Sequence, residues 1–575
     1  MILLVKFGIL MLSYFGYWEY SRSKYHISPV FAPAFTIAFQ FSMLFLAGLL
    51  NVLLEATVLL QVLGLVLAIL AISRKRLSVV KPYIHGEYAI LAVSCLLAAL
   101  AVRNVEIVDA DSIHHWSLIT NTMLQTDRFP NFQDTIITFK GYPLGSAVCI
   151  YYFCRFTSRW EDVQLLAQVF ILGCMFLPVL FRMKKHGIFC VIFAAIAYNF
   201  LLCYNGSIYD LRVDTLLPIC GTAMILFCYD IAKREASNRV PIFCAVPFFC
   251  FCSQIKNSGI FFCLIGAIVL LVCNKEREYR IKSGVVCLTP LMSMYMWKRH
   301  YAYVFANAAM TKHAMSSDWY SYVLSEKTLQ DCVATINGVL HYAFTRRELI
   351  WLVTWLVGIY LINRFCLNKT RKHSLRLPLC ILGVYFAYMA GICGMYLLSM
   401  PKAEAQTMGD IGRYTKTVDI AIYCLIVSYV IYAESQISVA QKRNILGAFM
   451  VLLMIATWRI SLNAYSSILK KPERYGRELG TRQKYQQLLE EYGVETGYKY
   501  LVLEKHDIYE DSYFYIKYLL NSGDVYVLDV SEPAQLDLAE ECQYIFVFDQ
   551  ENAVVNQWLD EQFPEYQGQA IIYNF

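Results

Sequence analysis

The chain has 575 residues, of which 58% are hydrophobic and only 16% are charged. Soluble globular proteins carry about 25% charged residues, so this composition excludes that class and predicts a polytopic α-helical membrane protein. The net charge of +6 does not indicate nucleic-acid binding, because no basic domain stands apart from the short loops.

Apolar runs long enough to cross a bilayer, about 20 residues each, recur up to residue 461. We predict about 14 membrane spans in a domain of residues 1–461. They lie near residues 2–19, 30–51, 54–73, 86–103, 162–181, 187–204, 214–231, 240–255, 258–274, 283–298, 348–366, 377–400, 417–433 and 444–461.

Short basic loops alternate along the chain with loops that are poor in Lys and Arg. The basic set is 21–24, 74–81, 182–185, 233–239, 275–282, 368–376 and 441–443. The positive-inside rule places this set in the cytoplasm. The loops predicted to face outside are 104–161, 205–213, 299–347 and 401–416. Residues 141–156 keep this alternation if they form a juxtamembrane helix that does not cross the bilayer.

The chain changes character after residue 461. The segment 470–493 is typical of an exposed helix. Short runs rich in Val, Ile, Tyr and Phe then predict strands at 498–504, 524–530, 543–549 and 569–575, with helices near 510–520 and 552–562 between them. Alternating strands and helices indicate a small α/β domain, which the predicted topology places outside the cell as residues 462–575.

The stretch "VDADSIHHWS" opens the first predicted outer loop, directly after an apolar span. Partial desolvation raises the pKa of a carboxyl group, as does a second carboxylate nearby, so Asp109 and Asp111 suit a general base. If a helix begins near Asp111, His114 or His115 comes one turn later on the same face. The alternative is that Asp111 only caps that helix.

An acidic pair at the start of a long first outer loop, followed by a juxtamembrane helix, resembles the GT-C superfamily of membrane glycosyltransferases. This superfamily includes protein O-mannosyltransferases and the aminoarabinose transferase of lipid A. "DADSIHHW" followed by "FKGYPLG" (139–145) is also similar to a Firmicutes branch of GT-C-like proteins, with the pattern D-E-F-S-H-W and then F-K-G-Y-P-P-G. The resemblance covers roughly residues 85–460. It implies a GT-C-like fold with a long first outer loop.

The resemblance assigns expected roles residue by residue. Asp111 matches the first acid of the pattern, Ser112 stands in the place of the second acid, and Asp109 lies two residues before Asp111. The resemblance therefore leaves open which carboxylate is the base and whether the pair holds a divalent metal. The other matching positions are His115, Trp116, Lys140, Tyr142, Lys256 in "KNSG", and Arg413 with Tyr414 in "DIGRYTK", with Glu404 upstream.

GT-C enzymes use a sugar carried on polyprenyl phosphate, which implies a cation for the phosphate and a carboxylate for the acceptor hydroxyl. Arg413 is the first choice for the phosphate, because Arg binds phosphate with two parallel hydrogen bonds. Lys256, Lys312 and Lys140 are the other cations on the predicted outer face. Lys312 is equally well interpreted as a phosphate contact or as a solvated or snorkelling side chain.

The expected function is sugar transfer, with inversion, from a polyprenyl-phosphate donor to a glycan or glycolipid acceptor of the cell envelope. The protein would be a multi-pass protein of the cell membrane. A transporter or flippase of lipid-linked sugars is one alternative, although such proteins usually bury charges in mid-membrane. A non-catalytic partner in envelope assembly is another.

Overall fold

Helices dominate the computed structural model of this chain, as the apolar runs predict. It describes residues 2–84, 86–137, 139–181, 183, 188–203, 208–234, 240–274, 276–305, 317–458, 471, 473–504, 511–529, 539–548 and 553–574. Three parts of the chain named above lie outside these residues. They are Lys312, most of the predicted basic loops 182–185 and 233–239, and the segment 459–470.

The helices of the predicted membrane region are numbered α1 to α20 in chain order. They are Ile2–Tyr25, Ala32–Leu49, Leu53–Lys75, Gly86–Val102, Ser117–Thr126, Gly145–Arg155, Glu161–Phe176, Ile188–Cys203, Leu216–Lys233, Val246–Ile255, Gly259–Cys273, Arg277–Cys287, Thr289–Val304, Ser317–Ser325, Leu329–Thr345, Arg347–Leu361, Arg371–Leu398, Lys402–Thr407, Ile411–Ser435 and Ala440–Trp458. A π-helix, Ser112–Trp116, directly precedes α5.

Eight helical segments within the described part of the chain are long and apolar enough to cross a membrane. They contain α1, α2, α3, α7, α9, α16, α17 and α19. Four shorter apolar helices coincide with further predicted spans, namely α4, α8, α10 and α11. The prediction of a polytopic α-helical membrane protein is therefore confirmed, while the number of 14 spans stays a prediction. The predicted outer segment 299–347 is more regular than expected, because it contains α14 and α15.

The two predicted sets of loops gather at opposite ends of the helices. At one end, Arg234 donates to the carbonyl of His26 at 2.6 Å, and the Tyr83 hydroxyl donates to the carboxylate of Glu19 at 3.3 Å. These contacts join the ends of helices next to three of the basic loops. Described parts of the loops 104–161, 205–213 and 401–416, all predicted to face outside, contact one another elsewhere, as Arg212 with Asp109 and Arg413 with Asp111 illustrate.

The segment 141–156 contains a helix that is too short to cross a bilayer. The 11 residues of α6 extend about 17 Å at 1.5 Å per residue, against about 30 Å of hydrocarbon. All residues from Gly145 to Cys154 are buried, and the helix packs against α2, α5, α7 and α10. This helix is therefore a buried part of the protein rather than a span.

Strands lie at the four predicted positions near the C-terminus. They are β1 Tyr500–Glu504, β2 Val525–Asp529, β3 Tyr544–Val547 and β4 Ile571–Tyr573. The sheet order is β2-β1-β3-β4, with β1 parallel to β2 and β3, and with β4 antiparallel to β3. The helices of this C-terminal unit are α21 Glu473–Glu491, α22 Asp511–Leu520 and α23 Ala553–Gln562.

Both faces of the sheet are covered, as is usual for parallel strands. Tyr500 and Phe546 belong to the large hydrophobic core that includes the membrane helices. Leu501 and Ile545, which point to the other face, form a separate small core with Leu559 of α23. The sheet therefore joins the rest of the protein through one face only.

A buried ion pair fastens the C-terminal unit to the first loop. Arg482 of α21 donates to both carboxylate oxygens of Glu161, at 2.8 and 3.1 Å, and to the carbonyl of Ile107 at 2.5 Å. The Tyr518 hydroxyl of α22 donates to the same carboxylate at 2.9 Å. Glu161 begins α7, where a negative charge is favoured by the helix dipole. These bonds fix the C-terminal unit above the segment that carries Asp109 and Asp111.

Replacing Arg482 with Met should loosen this attachment, because Glu161 would lose its cation. The expected loss is about 3 kcal/mol of unfolding free energy, the usual cost of removing one partner from a buried pair. Thermal unfolding in detergent, together with hydrogen–deuterium exchange of the α22 amides, measures it. Lys484→Met, an exposed change on the same helix, is the control. Equal stability and exchange in both variants would show that the pair does not hold the unit.

Candidate functional site

The π-helix Ser112–Trp116 is fixed at its start by Asp109. The Asp109 carboxylate accepts hydrogen bonds from both the backbone N–H and the hydroxyl of Ser112, each at 3.1 Å. The Ser112 hydroxyl oxygen in turn accepts from the N–H of Leu211 at 3.0 Å. π-helical turns are rare and frequently occur at functional sites. Ser112, where the motif resemblance predicts a second acid, is therefore a buried link between two loops.

Asp111 does not cap the helix, so the capping alternative is wrong. It occupies the N-cap position without a side-chain cap bond, and its carboxylate instead accepts from Arg413 Nη1 at 2.5 Å. These residues are 302 positions apart in the sequence. The Asp111 side chain is 40% exposed and that of Asp109 only 8%. Of the two candidate bases, Asp111 is the one that a substrate can reach.

Arg413, at the start of α19, lies among several carboxylates. Its Nε is 3.6 Å from Asp214 and its Nη1 is 3.4 Å from Asp410, in addition to the bond to Asp111. Lys256 donates to the other oxygen of Asp214 at 2.8 Å. Burial opposes ionisation of Asp214, but the two cations outweigh it and hold the pKa of this carboxyl below its ordinary value.

Tyr414 lies beside the two predicted phosphate-binding cations. Its ring centroid is 5.3 Å from Lys256 Nζ and 5.4 Å from the Arg413 guanidinium carbon, within the range of cation–π attraction. The structure thus brings together the predicted residues Asp111, Lys256, Arg413 and Tyr414. We call these four residues and Asp214 the Arg413 cluster.

The predictions missed the loop "DLRVD" (210–214), which supplies three charged residues to this site. Arg212 Nη2 is 2.7 Å from Asp210, and its Nε is 3.6 Å from Asp109. Burial raises the pKa of Asp210, and the nearby Asp109 carboxylate raises it further, while the positive charge of Arg212 lowers it. The sequence feature that could have identified this loop is its three charges of alternating sign, which directly precede an apolar span in a loop predicted to face outside.

The turn "FKGYPLG" packs against the end of α10, just before Lys256. A Cβ on Gly145 would lie 2.5 Å from the carbonyl oxygen of Gln254, so only glycine permits this approach. Tyr142 is brought close to the Arg413 cluster. Burial raises the pKa of its hydroxyl, while Lys256 and Arg413 act in the opposite direction. The turn is therefore a spacer that places Tyr142 beside the charged residues.

His115 and Trp116 pack with Tyr142 in an aromatic group. The His115 ring centroid is 4.5 Å from that of Trp116 and 5.0 Å from that of Tyr142. Burial lowers the pKa of His115 to about 3, so the ring is neutral. Among the described residues, neither ring nitrogen has a hydrogen-bond partner. A buried imidazole in this state can bond to a ligand hydroxyl group.

His114 connects the π-helix to the C-terminal unit. Its ring stacks on Phe514 of α22, with centroids 3.6 Å apart and an interplanar angle of 25°. Burial lowers the pKa of His114 to about 4. The negative charge of Asp111 acts against this shift, and the positive charge of Lys517 acts in the same direction as burial. His114 is therefore the histidine near Asp111 that the sequence predicted, but it is neutral and held by a stacking contact.

Glu404 lies on the neighbouring short helix α18. Its charge, like those of Asp410 and Arg413, acts on Tyr396. Lys312 lies outside the described residues.

A divalent metal does not fit the two candidate carboxylates. Asp109 is bonded to Ser112 and faces Arg212, and Asp111 is bonded to Arg413, so each carboxylate is matched with a guanidinium instead of with the other. Within the described ranges no group of three His, Cys, Asp or Glu residues could hold a metal ion.

Comparison with protein-family models, curated proteins and solved structures finds no match to this chain. The likeness to GT-C transferases therefore stays a prediction from the motifs.

Asn substitution should separate the roles of the two aspartates. Asp109→Asn should lower the unfolding free energy by about 1–3 kcal/mol, because a buried charged partner of Ser112 and Arg212 is lost. Asp111→Asn should cost less, since Asp111 is exposed and Arg413 keeps Asp214 and Asp410 nearby. Thermal unfolding of both variants in the same detergent makes the comparison. A larger loss for Asp111→Asn would contradict the structural role given to Asp109.

Proposed function

We propose that this protein transfers a sugar from a polyprenyl-phosphate donor to a cell-envelope acceptor at the outer face of the membrane. The C-terminal unit would then lie outside the cell, above the site. The observation that carries the proposal is the contact between Asp111 and Arg413, because it joins the predicted base to the predicted phosphate-binding cation.

The Arg413 cluster has the charges that such a reaction needs. Arg413 and Lys256 offer a bidentate donor and a point charge to a phosphate. Both are now bonded to carboxylates, so an arriving phosphate would compete with Asp111 and Asp214 for them. Binding of the donor phosphate to Arg413 would then release the Asp111 carboxylate next to the sugar, where it can accept a proton.

A cavity of about 600 Å³ lies among the membrane helices and suits the chain of a lipid-linked donor. It extends from Tyr25 and Phe243, beside the basic loops, toward Leu46 and Ser293. Its lining is predominantly apolar, with contributions from α1, α2, α3, α10 and α13, including Phe35, Leu46, Val246 and Cys250. Phe35 and Leu46 are about 17 Å apart along α2 at 1.5 Å per residue. Helix α10 contributes Val246 and Cys250 to the lining and ends at Ile255, directly before Lys256, one of the two proposed phosphate-binding cations. A polyprenyl chain suits such a cavity.

The proposed reaction is a direct displacement. Asp111 takes the proton of the acceptor hydroxyl, the hydroxyl oxygen bonds to the anomeric carbon, and the bond from that carbon to the phosphate oxygen breaks. Polyprenyl phosphate leaves with its new charge on Arg413 and Lys256. Attack opposite the leaving group inverts the anomeric configuration. His115, with its neutral ring, is placed to bond to a hydroxyl of the sugar.

The transporter alternative would be favoured by charges deep in the membrane. Arg346 and Asp419 form a buried ion pair between α16 and α19, so these spans are less free of charge than expected. However, Arg346 directly precedes α16, and Asp419 lies only six residues after Arg413. The pair is therefore near the end of the helices that carries the Arg413 cluster, where an enzyme site can use charge.

Asp111→Asn should abolish transfer while leaving the fold intact. General acid–base catalysis contributes about 10²–10⁴ in rate, so we expect a loss of at least ~100-fold in kcat. The assay is mass spectrometry of envelope glycans from cells with and without the protein, followed by transfer from purified polyprenyl-phosphate sugars in proteoliposomes.

Asp410→Asn is the matched control, because Asp410 also lies near Arg413 but is 59% exposed. It should keep most of the activity. Wild-type activity in Asp111→Asn would exclude the proposed base. Movement of a lipid-linked sugar across liposomes without any transfer would instead support a transporter.

A further inference from the structure

The turn that joins α18 to α19 contains two left-handed residues that are not glycine. Met408 has a φ of 52° and Asp410 a φ of 60°, so they lie on either side of Gly409. Side chains rarely adopt this conformation, because the Cβ comes too close to the following carbonyl oxygen. Such a backbone persists only where the surrounding structure holds it, and the contacts of this turn show what holds it.

The conformation of the turn decides where Arg413 lies. The backbone N–H of Arg413 donates to the carbonyl of Asp410 at 2.8 Å, and that of Tyr414 donates to the same carbonyl at 3.1 Å. Asp410 therefore fixes the direction in which α19 begins. Because Arg413 comes only three residues later, a change in the turn would move its guanidinium away from Asp111, to which it is bonded.

Tyr396, near the end of α17, contacts both the turn and the start of α19. Its side chain is fully buried, and its hydroxyl donates to the carbonyl of Gly409. Its ring packs edge-on against that of Tyr414, with centroids 6.3 Å apart and an interplanar angle of 71°. The hydroxyl thus holds the one carbonyl that lies between the two left-handed residues.

The end of α17 is itself held, so that Tyr396 is a fixed support for the turn. The ammonium group of Lys327, which lies between α14 and α15, donates to three carbonyls of this segment. They are those of Tyr396 at 2.7 Å, Leu397 at 3.0 Å and Met400 at 2.6 Å. The last carbonyls of a helix have no partner within the helix, and here a lysine from the predicted outer segment supplies one.

We propose that Tyr396 is a positioning residue for Arg413. Its hydrogen bond to Gly409 keeps the turn in its left-handed form, and the turn keeps the guanidinium at Asp111. The consequence for a donor phosphate rests on the proposed function, in which Arg413 binds that phosphate. Tyr396 acts through the backbone of the turn and takes no part in the chemistry.

Tyr396→Phe tests this directly, since it removes the hydroxyl and keeps the ring. Hydrogen–deuterium exchange of the full-length protein in nanodiscs reports on the amides of residues 408–416. Their exchange should become about fivefold faster, the effect expected for the loss of one ordinary hydrogen bond. Tyr385→Phe is the matched control, because Tyr385 is also buried on α17 but donates to the carbonyl of Ala343 at 2.8 Å. It should leave these amides unchanged.

A second variant and a second measurement separate positioning from general stability. Lys327→Met keeps the tyrosine but frees the end of α17, so the same amides should exchange faster. Polyprenyl phosphate, titrated against the same nanodiscs, should bind about fivefold more weakly to Tyr396→Phe. In the Arg413→Gln background, Tyr396→Phe should cause no additional loss, because the tyrosine acts through the arginine.

Three outcomes would overturn the proposal. They are unchanged exchange at 408–416 in Tyr396→Phe (or in Lys327→Met, if Tyr396→Phe does not fold), equal acceleration in Tyr385→Phe, and additive losses of polyprenyl-phosphate binding in the double variant. Faster exchange confined to Tyr396→Phe and Lys327→Met, in a protein that does not bind polyprenyl phosphate, would support the positioning role and overturn the proposed function instead.

Discussion

The guanidinium of Arg413 is the group on which the arrangement of the site depends. Its ion pair with Asp111 joins the start of the first loop to the start of α19, across 302 residues. A guanidinium in this half-buried place requires a carboxylate partner, and Asp214 and Lys256 extend the same pairing to two further loops. The electrostatic requirement of one arginine thus brings four separate segments to the same end of the helices.

The same pairing would make the protein's chemistry conditional on its substrate. When Asp111 accepts a hydrogen bond from Arg413, some of the lone pairs of its carboxylate are occupied and cannot accept a proton. In the proposed reaction, a donor phosphate that takes over the guanidinium would return those lone pairs when the sugar is present. The competition needs no large movement, because a side-chain rotation separates an ion pair of this kind.

Most of the fold follows from local pattern, whereas much of the site does not. Apolar runs and the alternation of basic loops indicated the membrane helices, and short runs of Val, Ile and Tyr indicated all four strands. Asp111 and Arg413 could be named from motif resemblance. The roles of Asp109 and Ser112 could not, because they depend on a π-turn and on Leu211 from another loop.

The attachment of the C-terminal unit explains why its helix α22 is rich in aromatic residues. These residues cover the π-helix, and Phe514 does so by stacking on His114. Arg482 and Tyr518 anchor the unit to Glu161 at the start of α7. The segment that carries Asp109 and Asp111 is therefore held between the membrane helices and a part of the chain that follows them.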